Sequence, residues 1–198
     1  MGRPGYDLDA LVTAAAEVFT DRGYDGTTMD VLATTLGIGK SAIYHHVTSR
    51  EALLGLALDR ALDGLDGVVD RAKASDAPAG VRLEEVIHDS VAVLLDHLPS
   101  VTLLLRARGN SEVERQALSR RREFDRFVAS LVAHAMQQGD LRTDVDPTIV
   151  ARLLFGLVNS LTEWYQPRPT ATSPDIAAII CTLAFEGLRH PTAVREKI

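Results

Sequence analysis

The chain has 198 residues, 46% of them hydrophobic, and a formal net charge of −6 at pH 7. That length buries a full core, as one domain or as a small domain joined to a larger one. The acidic balance excludes a generally polybasic protein, and the single cysteine, Cys181, excludes an intrachain disulfide.

Asp7, Asp9 and Glu17 interrupt the only early apolar stretch, so no signal peptide is expected. No run reaches the roughly 18 apolar residues of a membrane span. With one cysteine in the apolar setting IAAIICTLAF, these features predict a cytoplasmic protein with a buried, inert thiol.

Almost every segment carries helical periodicity, and strand alternation is absent. Leu8, Leu11, Val12, Ala15, Val18 and Phe19 form one stripe, closed by Arg22 and Gly23. Next comes TTMDVLATTLGIGKSAIYHHVTSR, residues 27–50. Leu32, Ala33 and Leu36 share one face of a first short helix, and Gly37 suits the positive φ that ends it. Ile38 follows as an apolar plug, and Ile43 and Val47 give a second short helix its inward side. This pattern is a helix-turn-helix, whose second helix can lie in the DNA major groove. Residues 1–60 hold five Lys/Arg (Arg3, Arg22, Lys40, Arg50, Arg60) against eight Asp/Glu, whereas residues 27–50 hold Lys40 and Arg50 against Asp30 alone. The docking surface is locally basic within an acidic domain, which predicts modest non-specific DNA affinity and reliance on fitted contacts and dimerisation.

The stretch GYDGTTMDVLATTLGIGKSAIYHHVTSREALL resembles the N-terminal domain of the TetR family of transcriptional regulators. The resemblance runs from Leu8 to Leu54, about a quarter of the chain. It assigns phosphate or base-edge contact to Lys40, Ser41, Tyr44 and His45, on a helix opened by Gly39, which belongs to the same DNA-binding set. Thr27 and Thr28, at the start of the preceding helix, and Arg50, at the start of the next, are positions where this family grips the DNA backbone. Capping explains one of the two threonines equally well, and Arg50 also reads as a solvated charge. Arg3 suits either an arm in an adjacent minor groove or a frayed terminus.

Further along, Thr48 to Glu51 reads as a capping box opening a long helix with Leu54, Leu58, Ala61, Leu62, Leu65 and Val69 on one side. Asp76 to Gly80 is the one clear linker. Leu83, Val86, Ile87, Val91, Leu94 and Leu98 mark a helix stopped by Pro99, and Val101 to Arg108 forms a shorter one ending at Gly109-Asn110. Ser111 and Glu114 read as a capping box for a helix running to Gly139. Asp146-Pro147 opens a helix ended by Pro167, and Ser173-Pro174 opens a last one through Leu188. The fold class expected is all-α with nine helices: a three-helix DNA-binding domain over residues 1–50 and a larger helical domain for effector binding and dimerisation over 51–198.

The TetR resemblance implies that the last two helices pair with those of a second copy, and that the protein is a homodimer reading a palindromic operator. Apolar residues beyond one inward stripe (Leu157, Val158 and Leu161 beside Ile176, Ile179, Ile180 and Leu183) agree with this, as they also agree with plain core helices. The candidate ligand pocket comprises Leu104, Leu105, Arg108, Phe124, Phe127, Phe155, Asn159, Glu163 and Trp164. Most are apolar, which argues for an effector with a substantial hydrophobic body. Asn159 and Glu163 are polar residues one turn apart among apolar neighbours. Arg106 and Arg108 suit an anionic head group or solvent equally.

GDLRTDVDPTIVARLLFGLVNSLTEWYQP also resembles the branch of the family that responds to acyl-CoA thioesters, with Arg108 or Arg168 near the pocket mouth. A lipophilic drug or another metabolite fits the same residues. No catalytic residue, metal site or cofactor is expected: the six histidines lack metal spacing, and the loop with Asp140, Asp144 and Asp146 lacks the glycine and glutamate of a calcium loop. The reading is therefore a ligand-responsive repressor. Its alternatives are a small helical enzyme and a helical scaffold that binds no DNA.

Overall fold

Side-chain oxygens stand where the helices begin, and they explain most of the boundaries. The computed structural model describes residues 7–166 and 175–188. Nine helices fall within them: α1 (Leu8–Arg22), α2 (Met29–Leu36), α3 (Lys40–His46), α4 (Arg50–Ala74), α5 (Ala79–Asp96), α6 (Leu98–Arg106), α7 (Glu112–Gln138), α8 (Pro147–Trp164) and α9 (Ile176–Leu188). The all-α expectation holds. Asp7 opens α1 by accepting from the Ala10 N–H at 2.7 Å. Asp146 opens α8 by accepting from Thr148 and Ile149, with Pro147 in the first turn where its missing N–H costs nothing.

Several boundaries differ from the sequence reading: α5 begins at Ala79, inside the expected linker Asp76–Gly80, and α6 runs from Leu98 to Arg106 instead of from Val101 to Arg108. Ser49, not Thr48, caps α4: its hydroxyl accepts from the Ala52 N–H at 3.0 Å and its carbonyl from the Leu53 N–H at 3.2 Å. The cap belongs to the residue directly before the first helical one, and that residue is Ser49. Pro99 lies in the first turn of α6, so it starts that helix after α5 has ended at Asp96. Glu114 accepts from the Asn110 N–H at 2.7 Å, one residue earlier than a capping box requires, while Ser111 caps α7 through the Glu114 N–H. Arg3, Pro167, Arg168 and the Ser173-Pro174 device lie outside the described residues, and the cap seen on α9 is Asp175, which accepts from the Ala178 N–H at 3.0 Å.

The helices gather into two compact units. The first takes residues up to Asp63 together with Asp96–Arg121; the second takes Gly64–Leu95 together with residues from Arg122 onward. The expected functional division at residue 50 falls inside the first unit, because α6 packs on α1 there. Its core is Leu11, Ala15, Phe19, Leu32, Ile43, Leu53, Leu54, Leu58 and Leu104. In the second unit Leu83, Ile87, Val128, Val132, Leu154 and Leu161 are buried, and Phe124 and Phe155 meet edge to face with ring centroids 5.0 Å apart. The long helix α4 buries more than its one predicted stripe: Leu53, Ala57, Val68 and Ala72 are inside as well. Gly64 sits where α4 meets α5, and a Cβ there would lie 2.7 Å from Val93 Cγ1, so only glycine permits that approach. Cys181 is half-buried, and burial pushes its thiol up to about 11, which leaves it protonated at neutral pH. No helix of the described residues is long and apolar enough to cross a membrane.

Gly37 carries the turn between α2 and α3 in the left-handed region, φ 65° and ψ 29°, with its N–H directed to the Ala33 and Thr34 carbonyls. A Cβ added there would meet nothing within 4 Å, so a substitution encounters only backbone strain. Gly37→Val should lower stability by about 1–2 kcal/mol and Gly37→Asn by clearly less. Urea unfolding followed by circular dichroism measures both.

Candidate nucleic-acid interface

The outward face of α3 follows from what its inward face buries. Ile43 has no exposed surface and Val47 retains 5%. With those two inside, Lys40, Ser41, Tyr44 and His45 recur at i, i+1, i+4 and i+5 on the other side, and all four are exposed. Tyr44 keeps 48% of its surface, a high value for an aromatic ring. Gly39 caps α3 without a side-chain hydrogen bond and is also exposed. Thr28 caps α2, its hydroxyl accepting from the Val31 N–H at 3.2 Å, and it too faces solvent. His46 is a residue that the sequence reading does not include. It is exposed on the flank opposite Tyr44, with its ring centroid 5.4 Å from that of His45.

Two expected contacts are engaged by the protein itself. Thr27 is fully buried, and its hydroxyl donates to the Gly23 carbonyl at 2.7 Å. Its side chain ties α1 to the following turn and presents nothing to a nucleic acid. Arg50 directs Nη1 to the carbonyls of Tyr24 at 3.0 Å and Thr27 at 2.7 Å, and its guanidinium lies 4.0 Å from the centre of the Tyr24 ring. Arg50 is thus a strut from the start of α4 to the loop between α1 and α2. Lys40 meets Asp30 of α2 at 2.9 Å, and the hydrogen bond to that carboxylate raises its pKa. Both groups are largely exposed, so the pair adds little stability. Its effect is to hold the Lys40 ammonium at one end of the α3 face.

The expected effector residues divide between the two units. Leu104 is buried in the first, where Leu105 and the exposed Arg108 line an open cleft. The second unit brings Phe124 against Phe155 and places Phe127 beneath the Lys73 ammonium at 5.6 Å. Asn159 is half-buried, and its carbonyl accepts from the Thr162 hydroxyl. Glu163 is exposed, and Trp164 keeps 58% of its surface, its Nε1 3.4 Å from the Ser160 hydroxyl. Neither therefore lines an enclosed cavity.

A family model described as "Bacterial regulatory proteins, tetR family" matches residues 11–57, and one described as "Tetracyclin repressor-like, C-terminal domain" matches residues 76–188. The chain belongs to the TetR family. Among solved structures, SCO3833 of Streptomyces coelicolor A3, a member of the TetR regulator family, is 46% identical with a TM-score of 0.84, covering 95% of this chain and 94% of its own. AibR, solved in complex with isovaleryl coenzyme A and operator DNA, is 26% identical with a TM-score of 0.72, covering 90% and 97%. The transcriptional repressor KstR2 of Rhodococcus jostii (strain RHA1) is 25% identical over 191 residues, 91% of this chain and 90% of that protein. The chain is accordingly a DNA-binding transcriptional regulator of the ligand-responsive TetR type and not an enzyme.

TetR regulators bind operator DNA as dimers, and the second unit exposes a face suited to a partner. Ile149, Leu153 and Leu157 project from α8 at spacings of four, with 56%, 67% and 46% of their surface exposed. Ile179 and Leu183 do the same on α9, at 45% and 71%. Val158, Leu161 and Ile180 turn inward, so the excess of apolar positions in these two helices consists of residues left in solvent by a single copy.

Replacing the Arg50 fork by an ammonium should test the strut. Arg50→Lys keeps the charge but loses the stacked plane and the two-carbonyl geometry. We expect a loss of about 1–2 kcal/mol in unfolding free energy, visible in urea melts without any DNA present. An unchanged midpoint would show that the carbonyls find equal partners in water.

Proposed function

We propose that this protein is a homodimeric repressor whose α3 face reads a palindromic operator and which a largely hydrophobic small molecule releases. The observation that carries the reading is that Lys40, Ser41, Tyr44 and His45 are presented together by a helix whose other side is locked into the core. Lys40 serves a phosphate, Ser41 and Tyr44 reach phosphate or base edges, and His45 completes the face, with Thr28 and Gly39 at its rim. Arg50 and Thr27 act behind it by fixing the loop that positions α2 and α3. The dimer forms through the exposed apolar face of α8 and α9. Residues 1–50 then make up the DNA-reading part and 51–198 the part that senses and dimerises. Its place of action is the cytoplasm.

The effector class we propose is an acyl-CoA thioester. The support is the likeness to AibR, solved with isovaleryl coenzyme A, together with the edge-to-face pair of Phe124 and Phe155. An effector lowers operator affinity only by binding the DNA-incompetent arrangement more tightly.

A gel shift on the DNA upstream of this chain's own coding region tests the DNA reading. Wild type should shift this DNA, and footprinting should show two symmetric half-sites whose centres lie about 34–36 Å apart, or a multiple of this. Lys40→Ala should reduce affinity and lower the salt slope by less than the roughly one unit of an unpaired phosphate lysine, since Lys40 already pairs with Asp30, while Tyr44→Ala should abolish the shift with the fold intact. Normal shifts from both variants would show that the α3 face does not read DNA.

Titrating isovaleryl-CoA and longer acyl-CoA thioesters into the protein–operator complex tests the effector. Release should follow a ~5–150-fold loss of operator affinity, the range of ordinary allosteric coupling. Free CoA should act more weakly than its esters. Equal operator affinity with and without every ester would refute the effector class while leaving the DNA reading standing.

A further inference from the structure

The first unit holds an open cleft of about 620 Å³ between the end of α1 with its following loop and the end of α6 with the start of α7. That volume lies within the roughly 300–1,000 Å³ typical of small-molecule sites. Three arginines line it: Arg22 at the end of α1, Arg106 at the end of α6, and Arg108 just beyond. All three are exposed, and among the described residues none forms an ion pair. Arg106 makes one long contact, 3.5 Å from Nη1 to the Thr20 carbonyl. Two carboxylates share the lining. Glu114 is buried and already accepts from the Asn110 N–H, so Asp25 is the one exposed carboxylate facing three guanidinium groups. Thr20 also lines the cleft, and its hydroxyl oxygen is buried without a hydrogen-bond partner.

We propose that this cleft is a binding site for a small phosphate ester, separate from the effector site in the second unit. Planar guanidinium forks match the oxygens of a phosphate, and three of them drawn from two helix ends exceed what one inorganic ion requires. The remaining lining includes Phe19, Leu103 and Leu105, which gives the organic part of the ester an apolar wall. The ligand would touch the loop whose Tyr24 carbonyl accepts from Arg50, so its occupancy would brace the segment from which α2 and α3 start. This inference goes beyond the effector reading, since nothing in it depends on an acyl chain or on DNA.

Isothermal titration calorimetry on the full-length protein without DNA tests it, using ADP, ribose 5-phosphate, adenosine and inorganic phosphate as probes. A failure here leaves the DNA reading intact, and a failure of gel shifts leaves this result intact. ADP or ribose 5-phosphate should bind at least tenfold more tightly than adenosine and than inorganic phosphate. The tighter of the two distinguishes a nucleotide from a sugar phosphate. Arg22→Ala, Arg106→Ala and Arg108→Ala should each weaken that binding about tenfold. Arg126→Ala, at an exposed arginine outside the cleft, should not change it. Equal affinity for adenosine and ADP, or for inorganic phosphate and both esters, would overturn the proposal, as would no binding at all. Unchanged affinity in the three cleft variants would overturn it as well.

Discussion

One guanidinium nitrogen holds the DNA-reading end of this protein together. Arg50 Nη1 donates to the carbonyls of both Tyr24 and Thr27, in the loop between α1 and α2, where the Tyr24 carbonyl also accepts from the Thr27 N–H at 3.1 Å. Helices α2 and α3 have eight and seven residues, too short to be stable alone, so their placement must come from packing and from such ties. Thr27 adds a second tie through the Gly23 carbonyl, and Arg60 a third, linking α4 to Asp9 and Thr13 of α1. With the backbone fixed by three side chains that never face solvent fully, the α3 face is free to carry residues that contribute little to the fold.

The same separation of duties recurs in the second unit. Inward positions of α8 and α9 are aliphatic and buried, while Ile149, Leu153, Leu157, Ile179 and Leu183 remain uncovered. A single copy leaves those five side chains in water at a hydrophobic cost that grows with their area. A two-fold partner removes that cost in a self-complementary way, since each copy offers the same patch. In the proposed dimer, folding and association are driven by opposite faces of the same two helices.

Local chemistry is legible in the sequence, and long-range partnership is not. Asp146-Pro147, Gly37 and the Ile43–Val47 pair each act within a turn or two, and each stands in the structure as read. Arg50 lies 26 residues from Tyr24, and no periodicity announces that bond. Thr27 and Thr28 look alike in a string of letters, yet one is sealed and the other exposed. The candidate pocket residues illustrate the same limit. Apolar spacing marks Leu104 and Phe124 as inward, but the inward side of α6 belongs to the first unit and that of Phe124 to the second. Trp164 joins them on hydrophobicity, although its position at the last turn of α8 leaves it largely in solvent.

The Asp30–Lys40 pair bears on how the protein finds its operator along a chromosome. A lysine already matched to a carboxylate gains less from a phosphate than a free one does, because binding exchanges one ion pair for another and releases fewer counterions. Random sequence, which offers phosphates and little else, is held loosely. On the proposed role of the α3 face, a search by hopping through solution is favoured over sliding along DNA that the protein has no reason to read.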